Sequence, residues 1–168
     1  MAGFTGWTKT SSVITKQAID ETSTTLENPL GTKVTARHAD YGDAEFIYLL
    51  GVASTGQSDF VTFDEAYVTT RAVADAKGRV AIAMSDNVAS QYGWYCIYGR
   101  VPGGVLASFA DNGNSFLTST AGHVDDAVVA GDLIEGCIGR GAIDDPNTGQ
   151  AWMELNYPAV DDFAGDDN

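Results

Sequence analysis

Gln91 to Val101 (QYGWYCIYGRV) is the stretch that most restricts what this chain can become. Drawn out as a strand, it puts Tyr92, Trp94, Cys96 and Tyr98 on one face and Tyr95 and Ile97 on the other. A strand that is apolar on both faces has to be covered on both, so this one belongs at the centre of a sheet or barrel. Gly93 and Gly99 bracket the aromatic residues, where a missing side chain permits a bulge, a bend or the close approach of another backbone. No catalytic group sits in the stretch. It reads as core.

The remaining chain supplies strands to surround it. Thr32 to Ala39 sets Val34 and Ala36 against Lys33, Thr35 and Arg37, the alternation of a half-buried strand. Ala44 to Val52 is apolar on both faces and predicts a second central strand. Phe60 to Thr70 returns as a strand interrupted at Asp64-Glu65, and Arg79 to Ser85 alternates Val80, Ile82 and Met84 with the small Ala81 and Ala83. Pro102-Gly103-Gly104 comes after the aromatic strand. Val105 to Ala110 and Phe116 to Thr120 then flank Asn112-Gly113, a strong hairpin signal. Leu133 to Ile138 is a further strand, and Gln150 to Tyr157 is the last, ended by Pro158. Helical signal is confined to a short helix over Val13 to Glu21 and one turn over Asp86 to Ser90. About nine short strands without a substantial helix predict an all-β fold, a compact antiparallel β-barrel or β-sandwich.

The 168 residues suffice for one domain with a buried core. Residues 1–28 differ in character from the rest of the chain: they are rich in Thr and Ser, with isolated apolar anchors at Phe4, Trp7, Val13, Ile14, Ile19 and Leu26. This is an extended N-terminal arm, packed either on its own domain or on a neighbouring subunit. Pro29-Leu30-Gly31 opens the β domain, residues 29–160, and residues 161–168 form a short acidic tail. The net charge of −14 argues against nucleic acid and anionic membrane as partners. It suits solubility at high local density, or docking on a basic protein surface. Cys96 and Cys137 lie in separate apolar segments without metal-ligand spacing and read as buried free thiols. With no secretory or transmembrane segment in the sequence, the chain is expected to be made, and kept or assembled, in a cytosol.

Catalysis needs convergent groups, and the sequence offers none. His38 and His123 each precede an acid by two positions, Asp40 and Asp125, but no third and fourth ligand stands at metal spacing. Asp144 to Gly149 has the composition of a calcium loop without its ordered ligands or closing Glu, and is turn chemistry instead. Gly136 to Gly141 lacks the Lys-Ser/Thr and βαβ setting of a phosphate cradle. The expectation is a protein without enzymatic activity, cofactor or metal.

Val80-Ala81-Ile82-Ala83-Met84-Ser85, the link Asn87-Val88-Ala89, and Gln91-Tyr92-Gly93-Trp94-Tyr95 with Gly99 resemble the central signature of small cement, or decoration, proteins on tailed-bacteriophage capsids. The resemblance extends to Pro29-Leu30-Gly31-Thr32, Glu45-Phe46-Ile47-Tyr48-Leu49, Ala110-Asp111-Asn112-Gly113 and Ala130-Gly131-Asp132. These motifs are structural, and none encodes a reaction. The resemblance implies a virion protein on the capsid's outer surface, bound to the major capsid protein of an HK97-like lattice and stabilising it. It further implies a homo-oligomer, a trimer rather than a dimer. Phe4, Trp7, Val13 and Ile14 are the expected contacts with the capsid or a neighbouring subunit.

Two other readings compete. A carbohydrate-binding β module would require Trp7, Trp152 and Tyr157 to line a concave surface. A metal-dependent hydrolase would require His38 and His123 to hold an ion.

Overall fold

A computed structural model describes residues 1–12 and 14–161. Val13 and all but the first residue of the acidic tail lie outside the described residues. The strands are β1 (Thr8–Lys9), β2 (Thr22–Ser23), β3 (Lys33–His38), β4 (Gly42–Leu50), β5 (Phe60–Phe63) and β6 (Thr69–Arg71). They continue as β7 (Gly78–Ala83), β8 (Tyr92–Gly104), β9 (Asn114–Leu117), β10 (Val124–Asp125), β11 (Leu133–Gly139) and β12 (Gln150–Val160). Among the described residues there is no helix. One path of antiparallel pairings runs β1-β3-β4-β8-β7-β12-β11-β9-β10, with β2 added at β8 and the β5–β6 hairpin at β7. The fold is all-β and antiparallel, and its sheet does not close on itself.

The aromatic stretch forms the first part of β8 and is central, as its two apolar faces require. β4 lies along it from Leu50↔Tyr92 to Phe46↔Cys96, and β7 joins at Ile82↔Cys96 and Ala83↔Tyr95. Each face is buried in its own cluster. Trp94 and Cys96 meet Phe46, Tyr48, Ile82 and Met84 in the larger one. Tyr95 and Ile97 meet Ile47, Leu49, Val61 and Phe63 in the smaller. Small residues on β7, Ala81 and Ala83, belong to the second cluster.

Tyr98 does not follow Trp94 and Cys96 inward. Opposite β8 the register passes from Glu45↔Tyr98 to Phe46↔Cys96, so Ile97 is an extra residue, a β-bulge. Beyond it the parity of β8 reverses. Val101 now joins the first cluster, and Tyr98 is turned outward, 44% exposed. Gly99, at φ +106°, completes the bend; a Cβ there would lie 2.7 Å from that of Ala44. After the bulge β8 pairs with β12, from Asn156↔Tyr98 to Gln150↔Gly104, while the end of β12 turns to β7 at Ala159↔Arg79. β7, β8 and β12 therefore pair with one another around a fork.

Several expectations need correction. Residues 14–21 contain no helix: Glu21 closes only a turn onto Ala18 O, and the backbone there is bound to side chains instead. Pro102-Gly103-Gly104 is strand, because the bare Gly103 accommodates the Phe60 ring. Asn112-Gly113 makes a turn, Gly113 N donating to Ala110 O, but no hairpin. The next strand, β9, pairs with β10 and β11, and the turn is held down by Asp126, which accepts from Ala110 N. Pro158 does not end β12, which continues to Val160. The bond Pro158 cannot make falls at a second irregularity, between Glu135↔Ala159 and Cys137↔Leu155, where Tyr157 and Gly136 both have positive φ. Phe60 to Thr70 is two strands, since Asp64 Oδ1 accepts from both Ala66 N and Val68 N and folds the chain into a hairpin.

Candidate protein-contact surface

The arm lies along its own domain. β1 extends the edge at β3 (Thr8↔Arg37, Lys9↔Ala36), and β2 pairs with β8 (Thr22↔Gly93, Ser23↔Tyr92). Phe4, 1% exposed, and Ile19 belong to the first core cluster. Trp7 is half-buried and stands edge-on to Phe46 and His38, with ring centroids 5.1 and 5.3 Å away. Its indole N–H donates to Gly3 O at 3.0 Å.

Between β1 and β2 the chain forms a bight, and Gln17 pins it. The Gln17 carbonyl accepts from the Trp94 indole at 3.0 Å and from Lys9 Nζ at 2.7 Å. Its side-chain amide donates to Glu21 O and Tyr92 O, and its Oε1 accepts the Tyr48 hydroxyl at 2.6 Å. Gln17 holds φ at +68°, a conformation a β-carbon disfavours and the surrounding bonds must impose. Asn28 grips Lys16 by both backbone groups. Lys9 also lies over the Trp94 ring, 4.9 Å from its centroid. Burial lowers its pKa, and the charge of Glu21 partly restores it. No periodicity in residues 14–28 marks Gln17 as the pin, so sequence reasoning passed over it.

Out of this restrained bight Ile14 projects into water, 97% exposed, and past β2 Leu26 is 52% exposed. The four expected contact residues thus separate: Phe4 and Trp7 face the domain, Ile14 faces solvent, and Val13 lies outside the described residues. An ordered loop that leaves an isoleucine wholly in water forgoes about 1.5–3 kcal/mol of burial, which a partner surface would recover.

A second surface lies over the fork. Tyr98 and Tyr157 (54% exposed) are tilted together at 5.4 Å, and the Tyr157 hydroxyl donates to Glu45 Oε2 at 2.7 Å. That bond to Glu45 raises the Tyr157 pKa. Next to them Arg100 lies over the Trp152 ring at 4.5 Å, and Tyr41 packs on Trp152 at 4.4 Å and on His38 at 4.2 Å. Trp152 is therefore only 4% exposed. It presents no open ring face of the kind a sugar stacks on.

The residues weighed for chemistry do not converge. His38 Nδ1 accepts from Asp40 N at 3.0 Å. The carboxylate near His123 is Asp59, at 4.0 Å, and Asp59 already holds Arg71 Nε at 2.7 Å and Gly56 N at 2.9 Å. Asp144 is a turn residue, its Oδ1 accepting from Gly149 N. Cys96 and Cys137 are free and buried in the first cluster. Among the described residues no group of three or more His, Cys, Asp or Glu could hold a metal ion. The chain matches no protein-family model, and comparison with curated proteins and with solved structures likewise finds no match.

Proposed function

We propose that this chain is a structural virion protein that binds the outer surface of a bacteriophage capsid with an HK97-like lattice and stabilises it by bridging major capsid protein subunits, acting as a trimer. The motifs that resemble decoration proteins supply the partner class. The observation that carries a binding role is the pinned bight with Ile14 exposed at 97%. Its backbone is already held at Lys16 and Gln17, through Asn28 and Lys9, so docking would not incur there the roughly 1–2 kcal/mol per residue of ordering a slack arm. Each copy then gains little more than the burial of one or two side chains, and the trimer multiplies that gain by avidity.

Deleting residues 1–28 is a poor test, because Phe4 and Ile19 are core residues and the domain would suffer with the arm. The informative experiment adds purified protein to capsid shells lacking it, then measures co-sedimentation and the temperature at which the shells open. Co-sedimentation with a raised opening temperature supports the reading. Protein that stays in the supernatant at every lattice stoichiometry overturns it.

A further inference from the structure

The parity reversal at Ile97 turns Tyr98 outward, and Arg100, two residues on, shares its face. Across the ladder Tyr98 stands opposite Asn156 and Arg100 opposite Glu154. These four side chains border one cleft of about 380 Å³, with Tyr41 and Asp43 also on its wall. That volume falls within the roughly 300–1,000 Å³ of a small-molecule site.

The polar groups of the cleft divide into two sets. The carboxylates are already held: Arg37 Nε and Nη2 grip Asp43 at 2.6 and 3.0 Å, and Arg140 Nε donates to Glu154 Oε2 at 2.7 Å. The Arg100 guanidinium, the Asn156 side-chain amide and the Tyr98 hydroxyl have no hydrogen-bond partner among the described residues. Arg100 is nonetheless fixed, 4.5 Å over the Trp152 ring with its Nε sealed from water, and Tyr98 leans on Tyr157. Positioned polar groups without partners suit a ligand, because meeting them demands little further ordering.

Charge around the cleft narrows the ligand class. Arg37, Arg100 and Arg140 are matched by Asp43, Glu154 and Glu45, the last opposite Tyr98 on β4. The site therefore selects neither sign, and the net charge of −14 turns away a free anion. It offers donors at Arg100, donor and acceptor at Asn156 and Tyr98, and an acceptor at Glu154 Oε1, the oxygen Arg140 leaves free. A sugar ring has the matching surface: hydroxyls that both give and accept, and an apolar C–H face for the half-exposed Tyr98 ring.

We propose that this cleft binds a neutral saccharide, its hydroxyls on Arg100, Glu154 and Asn156 and its C–H face on Tyr98. The site is not the arrangement of Trp7, Trp152 and Tyr157 that the sequence suggested, since Trp152 supports Arg100 and does not line the cleft. The inference does not depend on the capsid reading. The test is an NMR titration of the full chain with methyl glucoside, methyl galactoside, methyl mannoside and N-acetylglucosamine, and with glucuronate as the anionic counterpart. At least one neutral sugar should saturably shift the Arg100 Nε–H and the amides of residues 98–100 and 154–156, with the rest of the spectrum unmoved. Arg100→Met keeps an apolar stem over Trp152 and removes the donors, and Asn156→Ala trims an exposed side chain that cannot unsettle the fold. Each should weaken that binding by about tenfold, while Ile14→Asp, which bears on the capsid contact, leaves it unchanged. No saturable shift from any neutral sugar, tighter binding of glucuronate, or undiminished binding by either variant would each overturn the proposal.

Discussion

Phe4 and Ile14 belong to one Thr- and Ser-rich segment, and in the sequence they look alike: a large apolar residue among polar neighbours. In the fold they part completely, Phe4 at 1% exposed and Ile14 at 97%. The difference lies in what holds the backbone on either side. Around Phe4 and Trp7 the arm follows an aromatic surface, with Gly3 against Pro102 and Trp152 and the Trp7 ring against Phe46. Just after Ile14 the backbone is held at Lys16 and Gln17 by polar groups, through Asn28 and Lys9, which position the chain without asking its apolar side chains to pack. An irregular segment can therefore be ordered in two ways, and only the second leaves an apolar residue free for a partner.

The hardest blow to that comparison should come from its buried side. Phe4→Ala and Trp94→Ala each empty a fully enclosed site, and each is expected to cost about 3–5 kcal/mol in a denaturant titration. Trp94→Ala also removes the indole donor to Gln17 O, so it should loosen the bight as well as the core. If Phe4→Ala costs no more than a surface substitution, the arm is not an integral part of the domain and the contrast with Ile14 collapses.

Gln17→Ala tests the polar side. It leaves the Tyr48 hydroxyl without its acceptor and the Glu21 and Tyr92 carbonyls without their amide donor; lost bonds in such a setting cost about 1–3 kcal/mol. The sharper readout is local: amide hydrogen exchange over residues 14–28 should accelerate well beyond that of β8. Uniform acceleration would mean that Gln17 supports the whole domain and not the bight.

The two thiols calibrate how closed the first cluster is. Burial raises the pKa of both, Cys137 to about 12 against an ordinary value of 9.0, with the Ser115 hydroxyl pulling weakly the other way. A raised folded-state pKa stabilises the protonated form, so this contribution is complete below pH 9 and is lost as pH climbs toward 12. Stability should fall as pH rises through that window, in the direction the raised thiol pKa values set. At pH 8 a thiol reagent should label neither cysteine until the protein unfolds. Fast labelling of Cys96 in the native protein would show that the cluster opens readily.

Much of this fold was legible because alternation is a local property. The two-faced apolar runs Ala44–Val52 and Gln91–Val101 gave β4 and the centre of β8; Cys96 could be read as buried from the second run and Cys137 from the separate run Leu133–Ile138. What escaped was the parity reversal at Ile97, because a bulge is set by how β4 and β12 meet β8 and not by the residues of β8 alone. Asn112-Gly113 misled for the same reason: its turn forms, but β9 finds its partners in β10 and β11. The two-residue strands β1, β2 and β10 are too short to leave any period. Of the candidate contact surface, the apolar anchors were visible by type, but their sorting into buried and exposed depends on Gln17 reaching Tyr48, Tyr92 and Trp94 across the chain.

Ile14→Asp should have the smallest effect on the domain and the largest on its partner. A side chain 97% exposed makes almost no contact to lose, so the denaturation midpoint should move by less than about 0.5 kcal/mol. The bight would keep its shape, since none of the bonds through Gln17, Lys9 and Asn28 uses this side chain. At the proposed capsid contact the same change would replace a burial gain of about 1.5–3 kcal/mol with a buried charge, and in the proposed trimer that penalty would be met three times over. The variant should therefore fold and assemble normally while failing to co-sediment with shells that retain the wild-type protein. Undiminished binding by Ile14→Asp, with Leu26→Asp equally silent, would take the contact away from residues 14–28 and leave the Tyr98–Tyr157 face as the surface to mutate next.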